Sequence, residues 1–299
     1  MQVMCIGGAC VDRGYNVHGS VVFNSSNPAA RGDAVFGGVA RNVAENLARL
    51  GIQTSLLTVA GNDRSGQAML NELKAAGVDV SLSKTIAGAT DEYAAIMERG
   101  ELVVGAADMR AIETLTTGDL DGRWESIAAA PWLFIECNVA EAVLRACADR
   151  RSIARYKLAV NAVSAPKSHR LPERLDAIDL LFINEGEAQS YLDDTGNTQE
   201  EELARLLMAR GAPAVVLSSA ERGIICAQGG SFIRVPAAQA RRVSATGAGD
   251  ALIAGTLRGL IAGQDLPEAV RTGANLAALT LESERSVRPD LSPALLDAR

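Results

Sequence analysis

The chain has 299 residues, of which 48% are hydrophobic and 22% charged, and its net charge at pH 7 is −7. This composition excludes an intrinsically disordered chain and is typical of a soluble globular protein. No apolar run approaches the roughly 18 residues that a membrane span requires, and the lack of a concentrated basic face argues against nucleic acid as a partner.

The cysteines and histidines limit the chemistry further. The five cysteines are scattered without the CxxC spacing of zinc or redox sites, so we expect buried thiols in a reducing cytoplasm. With only two histidines, a histidine-rich metal site or a serine-hydrolase triad is hard to assemble. The N-terminal segment reaches Gly7-Gly8 without a basic region, and it predicts a first strand instead of a signal peptide.

Along the chain, short apolar runs alternate with longer stretches of helical period. The apolar runs predict strands at residues 3–6, 55–59, 132–135, 158–160, 180–183 and 214–217. The periodic stretches predict helices at residues 39–50, 66–76, 140–149, 198–210 and 249–261. Strands that alternate with helices imply βαβ units, so we predict an α/β sandwich of three layers with a mostly parallel sheet and helices on both faces.

Two segments break this alternation. Residues 12–34 carry alternating or polar patterns with turn residues, and residues 90–106 predict a hairpin. We predict that the two segments pair into a small β-sheet lid over the carboxyl ends of the main strands. The predicted division is a core of residues 1–11, 35–85 and 108–299 and a lid of residues 12–34 and 86–107. The exposed face of such a lid favours a homodimer in which the lids cover each other.

The most informative motif is Thr246-Gly247-Ala248-Gly249-Asp250, which opens the helix predicted at 249–261. Glycines and small residues let backbone amides turn toward an anion, and the positive end of the helix adds to the attraction. A carboxylate at the same helix start is placed to accept a proton from an attacking hydroxyl. The motif equally suits a tightly packed turn in which Asp250 caps the helix, so by itself it leaves both interpretations open.

Three further motifs carry groups that suit phosphoryl transfer. Asp12 closes the first strand region and can accept two hydrogen bonds from a diol, and Asn42, after Gly37-Gly38, offers a donor and an acceptor to hydroxyls. Asn184 and Glu187 follow a later strand, with oxygens that can hold magnesium through its waters. Each motif also has an ordinary explanation as a turn or a helix cap. The Walker pattern GxxxxGK[ST] is missing from the sequence, which excludes a P-loop kinase.

In this order and at these separations, the motifs resemble the ribokinase-like (PfkB) carbohydrate kinase family over nearly the whole chain. The resemblance implies the ribokinase-like sandwich, ATP as phosphoryl donor, Mg²⁺ as cofactor and Asp250 as catalytic base. It assigns the anion hole to the amides of Gly247, Ala248 and Gly249. It assigns magnesium to Asn184 and Glu187, through water, and the acceptor hydroxyls to Asp12, Gly38 and Asn42. The residues that it places at the nucleotide are Ser218, Ala220, Gly223, Thr246, Asn275 and Ala278.

Within the family, segments such as Glu136-Cys137-Asn138 and residues 161–167 resemble those of members that act on pseudouridine. The resemblance therefore implies transfer to the 5′-hydroxyl of pseudouridine, which gives pseudouridine 5′-phosphate and ADP. Candidate nucleoside contacts are Asn138, Tyr93 and Met109. Ser244 stands where many relatives carry an aspartate that helps to bind a monovalent cation, which leaves a requirement for K⁺ open.

Other functions remain open at this point. A kinase of the same family for ribose, uridine or a purine nucleoside differs only in its acceptor contacts. A nucleoside-binding regulator without catalysis conflicts with the intact motif at residues 246–250. A dinucleotide-binding oxidoreductase conflicts with residues 7–12, which do not fit G-x-G-x-x-G.

Overall fold

The structure is a computed structural model that describes residues 2–244 and 246–299. The strands of this part of the chain are β1 (Val3–Ile6), β2 (Cys10–Val17), β3 (Ala29–Arg31), β4 (Val35–Gly37), β5 (Thr54–Leu57), β6 (Val59–Gly61), β7 (Lys84–Ile86), β8 (Glu92–Glu98), β9 (Glu101–Asp108), β10 (Trp132–Glu136), β11 (Lys157–Asn161), β12 (Leu180–Asn184), β13 (Ala214–Ser218), β14 (Ile224–Gln228) and β15 (Ser231–Val235). The helices are α1 (Val39–Arg49), α2 (Arg64–Ala75), α3 (Thr117–Asp121), α4 (Trp124–Ala128), α5 (Glu141–Ala154), α6 (Ala165–Ser168), α7 (Glu185–Tyr191), α8 (Glu200–Ala209), α9 (Ala248–Ile261), α10 (Leu266–Leu281) and α11 (Pro293–Asp297).

The main sheet has eight strands in the order β15-β14-β13-β12-β11-β10-β1-β5. Strands β13, β12, β11, β10, β1 and β5 of this sheet are parallel to one another, whereas β14 pairs antiparallel with both β13 and β15. The prediction of a mostly parallel sheet is therefore confirmed. The antiparallel pair was not predicted from the sequence; its strands are joined by a turn at Gly229 and Gly230, both with positive φ.

Both faces of this sheet are covered, because alternate side chains of each strand point to opposite faces. Met4 and Ile6 of β1 belong to one buried hydrophobic cluster, and Val3 and Cys5 belong to the other. The three-layer sandwich predicted from the sequence is confirmed by this pair of cores. Within the described residues, no helix is both long enough and apolar enough to cross a membrane.

A second sheet has the order β3-β2-β8-β9, with β4 paired to β2. Its strands come from residues 10–37 and 92–108, so it is built from the two segments that broke the α/β pattern. β9 lies at one edge of this sheet and is exposed along its whole length. The division of the chain into a core and a lid stays a prediction.

The parallel strands bring several polar segments to one edge of the main sheet. Parallel strands end at the same edge, and ligands of α/β proteins bind in the crevice beyond those ends. Gly8 follows β1, Asn138 follows β10, and Asn161, Asn184 and Ser218 end β11, β12 and β13. Helices α1 and α9 pack against each other beside the sheet. The candidate site lies at this edge.

Candidate active site

A hydrogen bond between α1 and α9 lies at the centre of the crevice. Asn42, in the first turn of α1, is 3% exposed. Its Nδ2 donates to Oδ2 of Asp250, in the first turn of α9, over 2.8 Å. The structure therefore brings together two residues that the sequence separates by more than 200 positions.

The carboxyl group of Asp250 is poised to exchange a proton near neutral pH. Loss of solvent raises its pKa from 3.8 to about 7. The hydrogen bond from Asn42 and the positive charge of Arg41 oppose this rise, whereas the nearby carboxyl groups of Glu136 and Asp12 add to it. A base whose pKa lies close to the operating pH is well matched to general base catalysis.

The turn before α9 requires glycine and leaves an approach to the helix end. Gly247 has φ +85°, and a Cβ at this position would overlap the backbone carbonyl of Ser286. The first-turn amides of α9, which include those of Ala248 and Gly249, are not bonded within the helix. A Cβ added at Gly249 would meet no atom within 4 Å, so the space beside it is open. Such a helix start suits a phosphate or another anion.

Two glycines let the chain close around Asp12, on the side of the crevice that the sequence predicts to bind the acceptor hydroxyls (the acceptor side). A Cβ at Gly37 would overlap the Asp12 carboxylate, and a Cβ at Gly38, with φ +99°, would lie 2.5 Å from the carbonyl oxygen of Gly8. Burial raises the pKa of Asp12 to about 6, although the Cys10 thiol and the charge of Arg41 oppose the rise. The Gly-Gly pair thus allows the Asp12 carboxylate to lie beside the start of α1.

Glu136 fixes the two turns that border this acceptor side. The side chain is fully buried, and its carboxylate accepts from the backbone N–H of Gly8 over 2.5 Å and from that of Asn138 over 2.6 Å. Burial raises the pKa of Glu136, and these hydrogen bonds oppose the rise. Sequence reasoning identified Glu136 only through the family resemblance and assigned it no role. A carboxylate at the end of a strand whose other residues are apolar was the available signal.

The Asn138 amide is oriented by a lysine. The ammonium group of Lys167 donates to Oδ1 of Asn138, so the amide Nδ2 faces away from the lysine. A Cβ at Gly8 would lie 3.0 Å from that Nδ2 and 2.9 Å from Cε of Met109. Tyr93 is paired with Asp12 between β8 and β2. The structure therefore gathers Asp12, Asn138, Tyr93 and Met109 on one side of the crevice.

Asn184 and Glu187 form a reciprocal cap at the start of α7. The carboxylate of Glu187 accepts from the backbone N–H of Asn184 over 2.9 Å and from its Nδ2 over 2.7 Å, and Oδ1 of Asn184 accepts from the N–H of Glu187 over 2.9 Å. With Asp250, Gly249 and Ser218, both residues line a cavity of about 180 Å³.

The donor set of this cap decides what it can do for a metal ion. Each carboxylate oxygen of Glu187 accepts one hydrogen bond and keeps a second lone pair, so the residues fit contact with magnesium through its waters. Across residues 2–244 and 246–299, no group of three or more His, Cys, Asp or Glu side chains is arranged to hold a metal ion.

A larger cavity of about 550 Å³ shares Ser218, Gly249 and Leu252 with the smaller one and extends to α10. Of the residues predicted at the nucleotide, Ser218, Ala220 and Ala278 line it, whereas Gly223, Thr246 and Asn275 do not. Lining residues that the sequence did not indicate include Ala237, Ala238, Ala240, Arg242, Ala274 and Ala277. The loop at 237–242 has no regular pattern, and its place in the cavity wall becomes visible only in the fold.

Comparison with known proteins decides the family. The sequence pattern of the family described as pfkB family carbohydrate kinase matches residues 1–292. The chain belongs to this family. Its members are phosphotransferases that act on hydroxyl groups of sugars and nucleosides, so the family resemblance found in the motifs is confirmed.

Individual relatives differ in their acceptors. The chain is 31% identical over 298 residues to a pseudouridine kinase of Escherichia coli K12, with 97% of this chain and 93% of the relative covered. It is 29% identical over 258 residues to a fructoselysine 6-kinase of the same organism, with 83% and 90% covered. An Arabidopsis thaliana ribokinase, solved with ribose and ATP, has a TM-score of 0.84, 18% sequence identity and coverage of 99% and 97%. That last likeness shows the fold.

Proposed function

We propose that the protein transfers the γ-phosphoryl group of ATP to the 5′-hydroxyl of pseudouridine, with Asp250 as general base. The observation that carries the catalytic part is the position of Asp250. Its carboxyl group lies in the first turn of α9, beside the open space at Gly249, and its pKa is raised to about 7. A proton acceptor and an anion-binding helix start are thus on the same turn.

The reaction is a direct displacement. The acceptor hydroxyl oxygen forms a bond to the γ-phosphorus, the bond from that phosphorus to the β,γ-bridging oxygen breaks, and ADP leaves. The proton of the hydroxyl passes to the Asp250 carboxylate. The amides of Gly247, Ala248 and Gly249 hold the negative charge that spreads over the transferring group.

The nucleotide fits the cavity of about 550 Å³ between α9, α10 and the loop at 237–242. Ala278 and Ala220 would lie against the base, and Ser218 lies in the wall shared with the smaller cavity. Magnesium, when bound, neutralises charge on the phosphates. Asn184 and Glu187 would hold its waters.

The acceptor side supports a nucleoside with carbonyl groups on its base. The Nδ2 of Asn138 and the Lys167 ammonium are both hydrogen-bond donors. The uracil ring of pseudouridine presents carbonyl oxygens that accept such bonds. Asp12 and Asn42 are placed for the ribose hydroxyls. The 31% identity to a pseudouridine kinase agrees with this choice of acceptor.

The substrate is tested by ADP release with magnesium-ATP and separate acceptors: pseudouridine, uridine, cytidine, adenosine, ribose and fructoselysine. We expect kcat/KM for pseudouridine to exceed that for each of the others by at least about tenfold, the discrimination of one or two buried hydrogen bonds. A preference for ribose or fructoselysine would reject the pseudouridine assignment and keep the kinase. If none of these acceptors led to release of ADP, both the pseudouridine assignment and the kinase activity would be rejected.

We also propose that two copies pair through the exposed face and edge of the second sheet. Leu102, Val103 and Val104 of β9 are exposed to 54%, 37% and 49%, and Phe23 is exposed to 72%. Exposed apolar strands at a sheet edge are commonly covered by a partner. Light scattering is expected to give twice the monomer mass, and Val104→Lys to shift it to the monomer mass; a monomer in the unmodified protein would exclude this dimer.

All five cysteines are buried and free of disulfides. Free buried thiols are usual in proteins of a reducing compartment. We propose that the protein works in the cytoplasm. Fractionation of cells that express the native protein, with activity measured in each fraction, tests this location.

A further inference from the structure

Arg41 is a buried cation next to the catalytic pair and has no part in the steps above. Its side chain is 4% exposed, and that of Glu45, one turn along α1, is 3% exposed. The guanidinium Nη2 lies 2.6 Å from Oε2 of Glu45 and 2.8 Å from Oε1 of Glu72 on α2. Two carboxylates from two helices therefore hold one end of the guanidinium group.

The other end of the guanidinium group decides how the Asn42 amide is turned. Nη1 of Arg41 donates to Oδ1 of Asn42 over 2.9 Å. An arginine has no acceptor, so the amide oxygen must face it. The amide Nδ2 is then directed to the opposite side, where it donates to Oδ2 of Asp250 over 2.8 Å. Turned the other way, Asn42 would present an oxygen to an ionised carboxylate.

We propose that Arg41 is a positioning residue for the reaction: held by Glu45 and Glu72, it fixes the Asn42 amide so that a hydrogen-bond donor always faces Asp250. This proposal rests on the proposed function, in which Asp250 is the general base. The consequence is that the ionised form of Asp250 is favoured more than it would be beside an amide free to turn.

The charges around Asp250 show why a fixed donor is needed. From β10 the Glu136 carboxyl group and from β2 the Asp12 carboxyl group both act to keep Asp250 protonated. Burial acts in the same direction. Asn42 and Arg41, both on α1, favour the ionised form. An amide free to turn would remove the larger of these two contributions and replace it with repulsion.

A purely structural role for Arg41 is a weaker explanation. Replacing a buried ion pair by well-packed apolar groups is often neutral or stabilising, so stability alone gives little reason for a buried arginine. Glu45 also has a second partner, because Arg49 lies 2.8 Å from its Oε1. Arg49 bonds the carbonyl of Pro289 and not Asn42. It provides a matched control on the same helix and the same carboxylate.

The test is the titration of Asp250 in substrate-free protein that carries ¹³C in its aspartate carboxyl groups, with the Asp250 signal assigned by its loss in Asp250→Asn. In Arg41→Met, which leaves Arg49 to pair Glu45, we expect the pKa of Asp250 to rise by about one unit. In Arg49→Met we expect a change below about 0.3 units. The acidic limb of the kcat profile against pH is expected to move by the same amounts.

An Asp250 pKa that is unchanged in Arg41→Met, or that moves equally in Arg49→Met, would overturn the role of Arg41. If Arg41→Met does not fold, Arg41→Lys is titrated instead. One ammonium cannot hold both carboxylates and the amide in fixed geometry, so a rise of about half a unit is expected, and no rise would overturn the proposal. Failure of the proposed function has a separate sign, which is full turnover by Asp250→Asn whatever the titration shows.

Discussion

The two ends of the crevice, the proposed acceptor side and the proposed nucleotide cavity, differ in the polarity of the residues that line them. The acceptor side contains hydrogen-bonding side chains that are themselves held by others: Glu136 fixes the Gly8 and Asn138 turns, and Lys167 orients Asn138. The nucleotide cavity is lined largely by small apolar residues, with alanines at 237, 238, 240, 274, 277 and 278. The acceptor side presents hydrogen-bonding atoms in fixed directions, whereas the nucleotide cavity contacts its ligand mainly through van der Waals packing.

This difference implies different kinds of selectivity. A site with fixed, buried polar groups rejects a ligand that leaves them without partners, and the penalty is about 1–3 kcal/mol for each group. An apolar slot discriminates mainly by size. We therefore expect the enzyme to be strict about its acceptor and tolerant of the base of its phosphoryl donor.

The most severe test of this view removes Asp250, the proposed base between the two ends. Asp250→Asn keeps the size of the side chain but cannot accept the hydroxyl proton, and kcat is expected to fall by roughly 10²–10⁴-fold. Steady-state kinetics at saturating ATP and acceptor measure the change. Turnover within about threefold of the unmodified enzyme would show that another group is the base.

The thermal stability of Asp250→Asn is the control that a loss of activity does not come from unfolding. The pKa of Asp250 is higher in the folded protein than in the unfolded chain. The folded state therefore loses stability as the pH rises through the interval between the two values, here from 3.8 to about 7. Above neutral pH, Asp250→Asn no longer buries this charge. We expect its thermal unfolding at pH 8 to occur at the same temperature as the unmodified protein or higher.

The pH dependence of the unmodified enzyme tests whether Asp250 and Asp12 must be ionised for activity. In the proposed mechanism Asp250 acts in its ionised form, so kcat/KM is expected to fall about tenfold for each unit below pH 7. Asp12, with a pKa raised to about 6, adds a second proton below that value and steepens the fall. Initial rates from pH 5 to 9, with circular dichroism as a check on folding, measure the profile. A flat profile between pH 6 and 8 would contradict the assignment.

A substitution at Asn138 tests the directed polar atoms by themselves. Asn138→Leu removes the amide that Lys167 orients and leaves the lysine without this partner. We expect KM for the nucleoside to rise by about 10–100-fold, on the scale of one to two buried hydrogen bonds, with KM for ATP unchanged. Equal changes in both KM values would indicate general damage to the crevice.

The smallest expected effect concerns the nucleotide cavity. Ala278 is 1% exposed and lines the wall, so Ala278→Leu is expected to raise KM for ATP by about five- to tenfold through lost space, with the acceptor KM unchanged. In the unmodified enzyme, ATP and GTP are expected to differ by less than about tenfold in kcat/KM. A hundredfold preference for ATP would show that polar groups select the base after all.

The parts of the fold that could be predicted from sequence are those with a local signal. The buried strands β1 and β10 to β13 are short apolar runs, and α1 has its apolar residues on one face, so both were found. The β14–β15 pair was not identified, although its glycine turn is visible in the sequence. Helix α10 was not found either, although its start is visible in the sequence as the capping Asp265 followed by Pro267.

The site divides in the same way. Asp250, Asn42 and Asp12 stand in motifs that carry their own chemistry, and the fold brings Asn42 and Asp250 within 2.8 Å. The contacts of Arg41 with Glu72, and of Glu136 with Gly8, join segments that are 31 and 128 positions apart. Nothing local in the sequence indicates such partners, because they depend on how helices and strands pack.

The second sheet has a consequence for how the chain folds. Its central pairing joins residues 11–16 of β2 in parallel with residues 92–97 of β8, and α1, β5 and α2 of the main body lie between them in sequence. The strands of the main sheet pair over distances at least as long, as Val3 with Trp132 shows, but they are buried, whereas β8 is only half-buried and β9 is exposed. Because the second sheet has less burial to offset the entropy of closing the chain, we expect it to be less stable than the main sheet. In hydrogen exchange, the amides of β2 and β8 should be the first strand amides to open.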